Sequence, residues 1–178
     1  MHRTAALAIR LFGGTLGLAA LAAAAHPALA QDTNAKAFVA GTIRDDVAAV
    51  QIGQLAMENG GSVGVKDLGQ TLDTDHSLAA AEASKVAYGL GMRPSGDLTP
   101  QAQREYDRLA KLRGPAFDRE FLRATIAKQR SDIRAFTAEA AAEQGEASAL
   151  AARQLPTLRQ HLTVAEDLQR EARMHSER

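Results

Sequence analysis

The sequence predicts an all-α fold, a four-helix bundle with one short extra helix, and three observations carry that prediction. Alanine is abundant and alternating β-branched runs are missing, which favours helix over strand. Apolar residues recur at spacings of three and four on four long segments, giving each segment one stripe to bury. Glycine and proline fall where such segments should start and stop. Four stripes of this length are buried most simply against one another.

The first helix is expected over Thr33 to Asn59, stopping at Gly60-Gly61, with Ser62 as the next N-cap. Its inward line reads Phe38, Thr42, Asp45, Ala49, Ile52, Ala56. The second runs from about Val63 to Gly91 on a seam of Val65, Leu68, Leu72, His76, Ala79, Ala83, Val86 and Leu90. Met92 to Leu98, with Pro94, Gly96 and Asp97, reads as a loop. Thr99-Pro100 then supplies an N-cap and a first-turn proline, opening the short extra helix between helices 2 and 3, which reaches about Arg113. Gly114-Pro115 breaks the chain again. The third long helix extends to about Gln144 on Leu122, Ile126, Gln129, Ile133, Phe136 and Ala140, with Gly145 as its stop. The last starts at Glu146 and carries Leu158, His161, Ala165 and Leu168. Pro156 predicts a kink in it, or a break between 146–155 and 157–174.

Residues 1–30 read as a cleavable secretory signal peptide and 31–178 as one helical domain with its core at about 33–170. Arg3 and Arg10 make a short cationic start, Leu11 to Ala25 is apolar, and Ala28-Leu29-Ala30 is a small-x-small site for cleavage after Ala30. The apolar run is interrupted by Gly13, Gly14 and Gly17 and ends at His26-Pro27, which is short for a span of about 20 residues. No cysteine follows it to carry a lipid, and the two arginines are not adjacent. The expected location is therefore the periplasm, with no membrane span after cleavage and peripheral envelope association left open. A barrel of alternating strands is not expected either.

The whole chain carries 21 basic and 21 acidic residues. Removing Arg3 and Arg10 from the 21 basic residues leaves 19 against 21 acidic, a charge of −2. That balance argues against a nucleic-acid surface, which needs a basic patch. Cysteine and tryptophan are absent, so the core must be built from Ala, Leu, Val and Ile without disulfides.

The informative positions are polar residues on an apolar seam. His76, Gln129 and His161 each interrupt a stripe, and Asp75 lies beside His76, where it could orient a neighbouring imidazole. Three uses fit such a set. A seam histidine can hydrogen-bond within the core, with Gln129 satisfying one ring nitrogen. His76, His161, Asp75 and Gln129 could instead hold a divalent transition metal, although that ligand set is thin. Acid–base catalysis is the third. The first use needs no cofactor. A distance decides one point: ring nitrogens more than about 7 Å apart could not share one ion at ligand distances near 2.1 Å. Asp45 and Asp46 are expected on a solvated face with Arg44, with one of them able to lean toward the cluster. The strip Asp118, Arg119, Glu120, Arg123, Lys128, Arg130, Asp132 and Arg134 reads as a solvated surface with near-neighbour ion pairs. Gly60-Gly61-Ser62-Val63-Gly64 lacks the lysine of a phosphate loop. Neither a nucleophilic triad nor a cofactor motif is visible, so an enzyme is not expected.

Several stretches together are similar to a bacterial family of exported ferritin-like proteins, domain of unknown function 4142, whose members are often labelled outer membrane proteins. They are Phe38-Val39-Ala40, Val50-Gln51-Ile52-Gly53-Gln54-Leu55-Ala56, Asp75-His76-Ser77, Phe117-Asp118-Arg119-Glu120-Phe121-Leu122 and Leu155-Pro156-Thr157-Leu158-Arg159-Gln160-His161-Leu162. The resemblance implies a ferritin-like four-helix bundle outside the cytoplasm. The family pattern usually has a glutamate where Ala49 stands and a histidine where Gln129 stands, so this chain keeps Asp75, His76 and His161 of the polar set. The expected role is a non-enzymatic binding or envelope- and stress-related protein, with an unknown protein or envelope component as partner. The alternative is a metal-binding ferritin-like protein using His76 and His161.

Overall fold

The computed structural model describes residues 27–142 and 145–176. The expected signal peptide falls largely on residues 1–26, outside the described residues. Five helices follow in order: α1 (Pro27–Asn59), α2 (Val63–Gly89), α3 (Pro100–Leu109), α4 (Gly114–Ala140) and α5 (Gly145–Ser176). Among the described residues there is no strand, only a single parallel bridge between Gly60 and Gly114. The short extra helix lies where the loop and the Thr99-Pro100 signal put it, though it ends at Leu109 rather than near Arg113. No helix among the described residues is long and apolar enough to cross a membrane.

Helix ends follow local chemistry. The Ser62 hydroxyl accepts from the Val65 N–H at 3.3 Å and opens α2, and Thr99 does the same for Ala102 at 3.1 Å in α3. At the other end of α2, Gly91 adopts φ 72°. That left-handed residue lets the Met92 N–H reach Ala87 O at 2.9 Å and the Gly91 N–H reach Tyr88 O at 3.0 Å, the paired closure of a Schellman end.

Two expectations about charge need correcting, and of the two outcomes expected at Pro156 the break is excluded. Asp118 is not part of a solvated strip: it is buried, and its carboxylate accepts the Gly61 N–H at 2.8 Å and the Ser62 N–H at 2.9 Å. It caps α2 from α4, an interaction across the fold that no local pattern signals. Asp46 is buried too, because the inward face of α1 takes in Val39, Ile43 and Asp46 beside Thr42 and Ala56 of the expected line, while Asp45 is only half-buried. Finally, α5 runs uninterrupted through Pro156. The proline is on the exposed side, where water can reach the carbonyl its missing N–H leaves unpaired.

The four long helices enclose a core that is apolar at both ends. One end joins Leu55 and Ala56 of α1, Val65, Leu68 and Leu72 of α2, Leu109 of α3, Phe117 to Ile126 of α4, and Ala165 of α5. The other end joins Val39 and Ile43 with Ala83, Val86, Ala87 and Leu150, flanked by a group around Phe136 and Leu155. Close approach of α1 to α2 depends on two glycines. A Cβ on Gly53 would stand 2.6 Å from Gly69 O, and one on Gly69 would stand 2.7 Å from Gly53 O.

Candidate functional site: a polar layer at mid-height

Between the two apolar ends, each long helix turns a polar side chain inward. On α1, Asp46 follows Val39 and Ile43 and precedes Leu55. On α2, His76 separates Leu72 from Ala83. On α4, Gln129 separates Ile126 from Phe136, and on α5 His161 separates Leu158 from Ala165. The four residues are between 1% and 5% exposed, so the structure collects them in a layer that interrupts the core on every side.

Two carboxylates hold the two imidazoles. His76 Nδ1 lies 2.8 Å from Asp46 Oδ1, and His161 Nε2 lies 2.8 Å from Asp75 Oδ2. The ring centroids are 5.3 Å apart with the planes tilted by 45°. An ionised carboxylate can only accept, so each ring donates from the nitrogen facing its aspartate. The opposite nitrogens, His76 Nε2 and His161 Nδ1, are buried and meet no donor. Asp46 Oδ2 and Gln129 Oε1 are in the same condition. All four unpartnered atoms are acceptors when the rings are neutral. Each costs about 1–3 kcal/mol if left so, so stability alone does not explain the arrangement.

For His161, electrostatics favour the neutral form. Burial pulls His161 below the ordinary imidazole value, as does nearby His76, against the opposing pull of Asp75. Burial likewise pushes the Asp46 carboxyl up, with the hydrogen bond to His76 opposing it and the charge of Asp45 adding to it.

The layer is approached from two faces. A cleft of about 420 Å³ between α1 and α4 is lined by Asp46, His76 and Gln129. A smaller one of about 210 Å³ between α2 and α5 is lined by Asp46, Asp75, His76 and His161. Near the first, the Lys128 ammonium lies 3.1 Å from Asp45 and 2.5 Å from Asp132. Burial would lower the lysine, but the two carboxylates outweigh it and hold it above its ordinary value. Among the described residues, no three His, Asp or Glu side chains converge as a preformed cage for an ion.

Of the residues expected at the site, His76, His161 and Asp75 come together as the seam positions imply. Gln129 is inside as well, although its carbonyl oxygen bonds to neither ring. Of Asp45 and Asp46, either of which could lean toward the cluster, Asp46 is the one that does. Its three-residue step from Ile43 was the available signal, but Asp45 continued an equally regular line from Thr42.

The family model described as "Domain of unknown function (DUF4142)" matches residues 18–168. The chain belongs to this family. In a DUF4142 protein, then, the matched region contains the whole polar layer. Compared with curated proteins and with solved structures, the chain has no match.

Proposed function

We propose that this DUF4142 protein is an exported, ferritin-like four-helix bundle of the periplasm that acts by binding rather than catalysis, and that its interior takes up a divalent transition metal. One observation carries the reading. Both imidazoles are anchored to carboxylates through one nitrogen and keep the lone pair of the other buried and unpartnered. Ligating histidines are held in this way, the carboxylate fixing the tautomer and raising the basicity of the free nitrogen. His76 Nε2 and His161 Nδ1 would be the donors, with Gln129 Oε1 as a weaker third. Asp75 and Asp46 would orient the rings. Imidazole donors suit zinc, copper and nickel over magnesium or calcium.

The test is metal analysis and cobalt titration of full-length processed protein purified without an affinity tag. Wild type should hold up to one equivalent, and His76→Ala and His161→Ala should each weaken binding by more than the roughly tenfold to hundredfold that loss of an outer-shell partner costs. A second reading is a structural polar network, favoured by the lack of a third converging carboxylate or histidine among the described residues. It predicts no metal uptake and a loss of stability in His76→Leu, which leaves Asp46 buried without its hydrogen-bond partner. Export is tested by fractionation and intact mass, expected to give a periplasmic chain beginning at Gln31.

A further inference from the structure

The larger cleft has features that the metal reading does not use. Its walls on α1 and α4 are shortened by Ala49, Ala124 and Ala135 and completed by Ile52 and Phe136, and the start of α3 closes one side with Thr99, Ala102 and Glu105. At about 420 Å³ it falls within the range of small-molecule sites, roughly 300–1,000 Å³. Four carboxylates line it, Asp45, Asp46, Glu105 and Asp132, against one lining lysine or arginine, Lys128. That lysine is shared between Asp45 and Asp132, and Glu105 is held by Arg108 at 2.7 Å. Among the described residues, Asp46 pairs with no lysine or arginine, only with His76.

The independent observation comes from the inner wall. Asp46 and Gln129, 5% and 3% exposed, both line the cleft, and each keeps one oxygen without a donor. The cleft therefore combines surplus negative charge, two unsatisfied acceptors and an apolar wall. We infer that it binds a small organic cation, an aliphatic amine whose ammonium donates to Asp46 and Gln129 while its hydrocarbon lies against the alanine wall. An inorganic ion would leave that wall unused. An anion would meet four carboxylates, and a neutral alcohol would leave the charge uncompensated.

Three probes with the same six-carbon body isolate the charge: hexylamine, hexan-1-ol and hexanoate, titrated calorimetrically into metal-free full-length processed protein. Hexylamine should bind in about the millimolar range or tighter, and hexanol at least about tenfold more weakly. Hexanoate should give no binding signal. Ala49→Leu, which narrows the cleft and removes no polar group, should weaken hexylamine by at least about tenfold. Asp132→Asn should weaken it severalfold, and both variants should keep the wild-type helical circular dichroism. The inference is overturned by absence of hexylamine binding, by equal binding of all three probes, or by wild-type affinity in both variants. His161 does not line this cleft, so His161→Ala should impair cobalt binding while sparing hexylamine. Loss of either activity is thereby distinguishable from loss of the other.

Discussion

His161 is 1% exposed, and burial favours its neutral form. Its folded pKa is depressed below 6.5, so its contribution to stability is fully present above 6.5 and is lost as pH falls through the folded value. Urea unfolding of the metal-free protein should show stability falling on acidification in that window, by at most about 1.4 kcal/mol per pH unit for one proton. His161→Gln should flatten that slope; an unchanged slope would assign the effect elsewhere. Asp46 acts with the opposite sign. Its folded value is raised above 3.8, so its contribution is present below 3.8 and is lost as pH rises through the folded value. Asp118 bears on stability at neutral pH through a different route. Asp118→Ala removes both acceptors of the Gly61 and Ser62 N–H groups and should cost about 1–3 kcal/mol in the same unfolding experiment.

At the scale of elements, the contact of α1 with α2 and the continuity of α5 make opposite predictions. Gly69→Ala places a methyl against the Gly53 carbonyl and the Ala56 side chain, atoms of a packed helix that cannot swing away. Separating the helices should cost about 1–3 kcal/mol, read as a lower denaturant midpoint. Pro156→Ala restores an N–H inside an unbroken helix at an exposed position. It should stabilise the protein by up to about 3 kcal/mol, the helix-interior penalty of proline, and raise the thermal midpoint. A destabilising result would mean that packing of α5 uses the bend proline imposes. Helix order and most boundaries were readable because caps, stops and three-four spacing act within one or two turns. The continuity of α5 was not, because whether a proline ends a helix depends on what packs either side of it.

For the whole molecule, the layer formed by Asp46, His76, Gln129 and His161 divides one apolar core into two. It draws one residue from each long helix, so its geometry depends on how all four are rotated and placed along their axes. A coherent consequence is that metal should stabilise the fold by mass action, since donors from α2 and α5 are brought together only in the native state. A fixed excess of cobalt should raise the thermal midpoint of wild type more than that of His161→Ala. Equal shifts in both would place the ion away from the layer.

The amino-acid sequence by itself determined that the chain is helical, where its long helices lie, and that His76, Gln129 and His161 face inward. Those properties follow from periodicity and capping, which are local. Tertiary structure alone decided that Asp46 rather than Asp45 enters the core, since the two lie only one residue apart and an α1 face can be rotated to bury either. It also decided that Asp118 leaves the surface to cap α2, and that Asp75 orients His161 rather than a closer neighbour. Each of those outcomes depends on the distance between residues far apart in the chain, and spacing along one helix carries no measure of that distance.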